Sequence, residues 1–192
     1  AGNQKDFGES FRMSLFNVVS IMTGTGFKTE AFGSWGSFSI PIFFFIMFIG
    51  GCAGSTTCGI KIFRFQVLYA AAKTQFENLA HPHGVFIPYY NGNPISDEVI
   101  KSVMSFFFVF GMTFALLAVG LALMGIDFLT AVSAAASAIS NVGPGLGPII
   151  GPEGNYSSLP DSAKWLLSAG MLLGRLELFT VIVLFTRAFW RA

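Results

Sequence analysis

The sequence predicts an all-α integral membrane protein built of repeated units, each a half-length helix, a glycine-rich loop and a transmembrane helix. Three observations predict it. Only 11% of the 192 residues are charged, 53% are hydrophobic, and the mean hydropathy is +0.66. A soluble domain carries about 25% charged residues, so too little polar surface exists here to face water on every side. The 23 phenylalanines cluster in apolar runs, as a lipid-facing surface requires. Finally, the order short helix, glycine loop, long helix occurs twice. This composition argues against a soluble enzyme, and a net charge of +1 supplies no basic field for nucleic acid. Two cysteines, Cys52 and Cys58, are too few for a disulfide scaffold or a four-cysteine zinc site.

Residues 11–21 are apolar with Ser and Asn interspersed, behind a helix start at Glu9-Ser10. They make roughly 16 Å of helix, too short for a hydrocarbon core of ~30 Å. Thr23-Gly24-Thr25-Gly26-Phe27 ends that helix. Residues 40–49 are apolar and again half a span; the run 50–59 (GGCAGSTTCG) interrupts, and helix resumes over 60–72. Residues 102–124 hold no charge and predict a full span, in which Gly111 and Gly120 are ordinary. A second half-helix is predicted over 128–139, capped by Asp127 and ending in Asn141-Val142-Gly143-Pro144-Gly145-Leu146-Gly147. A loop containing Pro148, Pro152 and Pro160 leads to a last span over 165–186, interrupted by Arg175 and Glu177.

The repetition can be checked by alignment. Met47-Phe48-Ile49-Gly50 matches Met171-Leu172-Leu173-Gly174 at an offset of 124, and the two glycine loops align at 143 − 26 = 117. The proline-rich insertion after Gly147 accounts for the difference. Residues 1–75 then form a repeat lacking its first helix, 76–98 a cytoplasmic loop, and 99–192 a complete repeat. The start at Ala1 and the missing helix are what a cut inside a longer protein would leave. Lys61, Arg64, Lys73, Lys101, Arg187 and Arg191 fall on one side, Lys28 and Lys164 on the other. By the positive-inside rule, residues 61–101 and the C-terminus are cytoplasmic, and both glycine loops open outward.

Backbone that enters a membrane and returns through a glycine loop is tolerated only where it is buried in protein or lines water. There its carbonyls can replace the hydration shell of a cation, as in potassium filters. Glycine reaches the backbone angles that turn successive carbonyls the same way. Thr23 and Thr25 add hydroxyl oxygens, and Pro144 lacks a competing donor. A lone TGTGF reads most simply as a re-entrant turn. Two such loops, each between a half-helix and a transmembrane helix, favour a pore. No Ser-His-Asp or Cys-His arrangement and no phosphate-binding loop is visible in the sequence.

These residues resemble the C-terminal half of the membrane subunit of bacterial Trk-type potassium transporters, in the Trk/Ktr/HKT superfamily. The resemblance rests on NVGPGLG (141–147), GGCAGSTTCGIK (50–61), Gly174-Arg175-Leu176-Glu177, and ISDEVI (95–100) after His81-Pro82, and it covers nearly the whole chain. It implies helix–pore-loop–helix repeats resembling potassium channels, four around a central path, of which this chain holds the third, incomplete, and the fourth. The implied function is potassium uptake across the bacterial inner membrane, with potassium as substrate and no tightly bound cofactor. Filter residues would be Thr23, Gly24, Thr25 and Gly26 in one loop and Asn141, Val142, Gly143 and Pro144 in the other. Gly50, Gly51, Gly54, Ser55 and Gly59 would form an intramembrane gating loop under the filter, faced by Arg175. The implied partners are membrane lipid, the remaining repeats, a second copy in a homodimer, and a cytosolic nucleotide-binding regulatory subunit; nucleic acid is not among them. The alternative is a non-conducting structural or regulatory fragment that assembles with a longer homologue. Thr57 and Cys58 depart from the family, which commonly has glycines there, and that departure bears on gating kinetics.

Charges inside a membrane usually face a pathway or a partner. Arg175 and Glu177, two positions apart, point in different directions on a helix. Arg175, at the depth of the intramembrane loop, reads as a cationic barrier and Glu177 as a structural contact. Cys52 and Cys58 read as small packing residues, and His81 with His83 lacks a third metal ligand.

Overall fold

The computed structural model describes residues 6–55 and 57–176. Helix α1 (Phe7–Met22) starts a turn earlier than the apolar pattern indicates, because the extended Asp6 already accepts at its carbonyl from Ser10 N–H at 3.0 Å. Glu9 in the first turn suits the positive end of the helix dipole. Helix α2 (Ser39–Phe48) is the expected half-span. After an irregular stretch, α3 (Ile62–Ala80) runs eight residues beyond the 60–72 expected. Its last turns are held by polar helix formers, with Lys73 and Glu77 paired at 3.7 Å, and so carry no apolar signal.

Strands β1 (Tyr89–Tyr90) and β2 (Asn93–Pro94) form a short hairpin inside the segment read as a plain loop. Its turn residues Asn91 and Gly92 are both left-handed, at φ 49° and 80°. An Asn-Gly pair is the strongest short-range hairpin signal. Helix α4 (Asp97–Leu123) has 27 residues, long and apolar enough to cross a membrane. Helix α5 (Phe128–Ser140) begins at Asp127, whose carboxylate accepts from Thr130 N–H at 3.1 Å. Hydrogen bonding from Thr130 holds that carboxyl below its ordinary range. A single turn, α6 (Gly147–Ile150), precedes α7 (Asp161–Arg175), which starts four residues before the expected Trp165. The continuation of the last span to 186, with Glu177, Arg187 and Arg191, lies outside the described residues.

Helix α5 sits at the centre, with ten of its 13 residues buried. Ala131, Ala134, Ala135 and Ala138 share a core with Phe106, Phe110, Leu117 and Leu121 of α4 and Leu167 of α7. Ala136 faces a second core, with Ile21, Phe43, Met47, Val142 and Leu146. Small side chains let helices approach closely, and α7 uses the same device. Gly170 and Gly174 lie one turn apart: a Cβ on the first would sit 2.8 Å from a Leu117 methyl, and one on the second would overlap the Ile139 carbonyl. The outer face of α4 exposes Met104, Phe108, Met112, Leu116, Val119 and Leu123 at helical steps, an apolar stripe suited to lipid. The phenylalanines are not all on that surface. Phe48 of α2 meets Phe110 and Phe114 of α4 edge-on, at centroid distances of 6.0 and 5.4 Å. Each such pair contributes about 0.5–1.5 kcal/mol beyond burial.

Candidate functional site

The two glycine loops have the same local construction. Gly24 (φ 69°) and Gly26 (φ 74°) are left-handed, and so are their counterparts at the offset of 117, Asn141 (φ 53°) and Gly143 (φ 105°). Gly24 N–H donates to Ile21 O and Thr25 N–H to Ser20 O; Asn141 N–H donates to Ala138 O and Val142 N–H to Ser137 O, all at 2.9–3.1 Å. Left-handed residues at alternate positions turn a chain without winding it into another helical turn. Asn can take this conformation where most residues with a Cβ cannot, which is why Asn141 stands where the first loop has glycine.

Side chains of the half-helices then tie each loop down. Ser20 Oγ donates to Phe27 O at 2.5 Å, while Ser137 Oγ accepts from Gly143 N–H at 3.1 Å. Three residues past each loop glycine a second tie forms. The Asn17 side chain holds Thr29 through bonds of 2.9 and 3.3 Å, and Ser133 Oγ accepts from Leu146 N–H at 3.1 Å. None of these four anchors was singled out from the sequence. The available signal was a Ser at positions 20 and 137, at the same offset as the glycines.

The loops touch each other. A Cβ at Gly26 would overlap the carbonyl oxygen of Val142 and lie 3.2 Å from Pro144 Cδ. Val142 is buried. The Thr23 hydroxyl bonds to Val19 O at 2.8 Å and to the Thr25 hydroxyl at 2.9 Å. The Asn141 amide donates to Met171 O at 2.9 Å and so fastens the second loop to α7. On the other side, the hydroxyl of Tyr156 donates to Gly143 O at 2.8 Å. Burial pushes the Tyr156 phenol above its ordinary range.

The loop over residues 50–59 is closed at its neck and packed against the first glycine loop and α7. Gly50 N–H donates to Ile60 O at 2.9 Å, Ile60 N–H to Phe48 O at 2.8 Å, and Ile62 N–H to Gly51 O at 3.2 Å. Gly50 permits this, since a Cβ there would sit 2.6 Å from Cys58 O, and Gly59 is left-handed at φ 83°. Ser55 Oγ and Thr57 Oγ1 are 2.6 Å apart, and Gly54 has open space around it. Thr57 Cγ2 lies 3.7 Å from the Cβ position of Gly24, which puts the loop against the first glycine loop. Arg175 Nη1 donates to Cys58 Sγ at 3.5 Å. Cys58 is half-buried and Cys52 exposed. A cavity of about 260 Å³ lies here, lined by Thr57, Cys58, Lys61, Arg64, Phe110 and Arg175 among others.

Half-helices that end in paired glycine loops, next to broken and full-length apolar helices, define an all-α integral membrane protein of the pore-loop type. Comparison with known proteins gives the particular family: the chain belongs to the TrkH family, described as cation transport proteins, whose model matches residues 3–191. Its members are transport proteins rather than enzymes. The chain is 52% identical over 182 residues to the Trk system potassium uptake protein TrkI of Halomonas elongata, covering 95% of this chain and 37% of that protein. It is 38% identical to the Trk system potassium uptake protein TrkH of Vibrio parahaemolyticus, covering 96% and 37%. The crystal structure of the potassium transporter TrkH from V. parahaemolyticus superposes with a TM-score of 0.86 at 37% identity, over 95% of this chain and 38% of that one. The chain thus spans little more than a third of the length of these relatives.

Proposed function

We propose that this chain supplies two of the pore loops of a potassium uptake protein in the bacterial inner membrane, the other loops coming from the rest of a longer protein. The observation that carries this reading is the pairing of the two glycine loops, left-handed at matched positions and in contact through Gly26 and Val142. Each loop also follows the C-terminal end of a half-helix, where the helix dipole is negative and favours a cation. The relatives named as potassium uptake proteins support potassium as the cation. Thr23–Gly26 and Asn141–Pro144 form the filter, and residues 50–59 with Arg175 form the gate. Residues 61–101 face the cytoplasm. Lipid covers the outer stripe of α4; a second copy and a cytosolic nucleotide-binding subunit complete the assembly.

The test is uptake in bacteria that lack other potassium transporters. The full-length protein is expected to restore growth at low potassium. In the same cells, Asn155→Cys should react with an impermeant thiol reagent from outside and Asn78→Cys should not. Growth that stays potassium-dependent although the protein reaches the membrane would overturn the function, and labelling of residue 78 from outside would overturn the orientation.

A further inference from the structure

We propose that Tyr156 is a selectivity-positioning residue: from the external loop its hydroxyl holds the Gly143 carbonyl and so fixes the shape of the second filter loop. This inference rests on the filter reading above. Tyr156 opens a one-turn helix, Tyr156–Ser158, that is itself built on Asn155, whose side-chain oxygen accepts from Ser157 N–H at 2.9 Å. The loop beneath that turn is anchored rather than loose. Gly145 N–H donates to Ile150 O at 2.8 Å, Asn155 N–H to Ile149 O at 3.1 Å, and Leu159, buried in the main core, closes the turn by donating to Tyr156 O at 3.2 Å. The phenol therefore reaches Gly143 from a fixed base.

Gly143 is gripped at both of its polar atoms. Its N–H donates to Ser137 Oγ at 3.1 Å and its carbonyl accepts from the Tyr156 hydroxyl at 2.8 Å. Nothing else crowds it: a Cβ built on Gly143 would find open space within 4 Å, and its φ is 105°. A glycine with open surroundings and a wide conformational range needs such restraints to hold one carbonyl direction. The first loop is held differently. A Cβ on its glycine, Gly26, would overlap Val142 O, so that position is fixed by close packing. The carbonyl keeps a second lone pair for a cation, and the bond from the phenol sets the direction in which that lone pair points.

The experiment uses the full-length protein with three changes at residue 156: Tyr156→Phe, and genetic encoding there of 4-methylphenylalanine or 4-aminophenylalanine. The methyl analogue keeps the bulk and loses the donor; the amino analogue keeps a donor. Potassium and sodium fluxes are measured for each in vesicles, with Gly143→Ser as reference. The expected result is a potassium-over-sodium ratio reduced about three- to ten-fold in the Phe and methyl variants, with the ratio restored by the amino analogue at equal protein levels. A packing role would leave the methyl and amino variants alike, and that outcome would overturn the proposal. If Gly143→Ser lowers the ratio and all three Tyr156 variants match wild type, Tyr156 is excluded and the filter stands. If Gly143→Ser also matches wild type, the second filter loop itself is wrongly assigned.

Discussion

Gly26→Ser in the full-length protein is expected to abolish discrimination of potassium from sodium, lowering the flux ratio more than about tenfold, while Gly143→Ser has the smaller effect. The asymmetry comes from the surroundings of the two glycines. Both have positive φ, and an L-residue in such a conformation is strained by roughly 1–3 kcal/mol. Around Gly143 a new side chain has room, and strain is the whole penalty. At Gly26 the new Cβ overlaps the carbonyl oxygen of Val142, so either the first loop swings away or the second is displaced. Both glycine loops change shape from one substitution. A strain of 1.4 kcal/mol already corresponds to a factor of about ten if it is relieved by carbonyls leaving their positions. Flux ratios measured in vesicles at matched protein levels check this. Equal effects of the two substitutions would mean that the contact between the loops does not shape the site.

Arg175→Ala should raise potassium flux by about 15- to 20-fold and weaken its control. A guanidinium carries a positive charge and five donors. At an effective dielectric of about 20, a unit charge roughly 10 Å from the ion raises the ion's energy by about 1.7 kcal/mol. Removing it lowers the barrier by that amount. Arg175 also holds the loop, through Cys58 Sγ at 3.5 Å. Thr57 and Cys58 both reach outward from the loop: one to the first glycine loop, the other to Arg175. Replacing them by glycine removes both contacts and leaves the charge in place. Thr57→Gly with Cys58→Gly should therefore open the path faster with a smaller rise in flux than Arg175→Ala. Flux at or below wild type in a folded Arg175→Ala protein would make Arg175 a structural residue.

Composition reported the solvent, and that made much of this legible. Half-helices ending in glycine-rich runs are visible because 10- to 13-residue apolar stretches fit neither a span nor a surface helix, and α2 and α5 have those lengths. The offset of 117 carried further than expected, since it also relates Ser20 to Ser137 and Gly24 to Asn141. What stayed hidden was set by contacts between residues far apart in sequence. The bond from Tyr156 to Gly143 joins a proline-containing loop to a glycine 13 residues earlier, and no periodicity announces it. The close approach of α7 to α4 and α5 depends on Gly170 and Gly174 respectively, and glycines in a membrane helix look ordinary until their neighbours are known. The polar end of α3 gives no apolar signal, because its last turns are held by polar helix formers such as Lys73 and Glu77.

The central claim is that the backbones of residues 23–26 and 141–144 together surround one cation. Its most direct test is the anomalous scattering of thallous ion, a heavy surrogate for potassium, in crystals of the full-length transporter. The account predicts a peak bounded by carbonyl oxygens of both segments, lost on addition of excess potassium. A peak elsewhere, or none between the two loops in crystals of transport-competent protein, would contradict it.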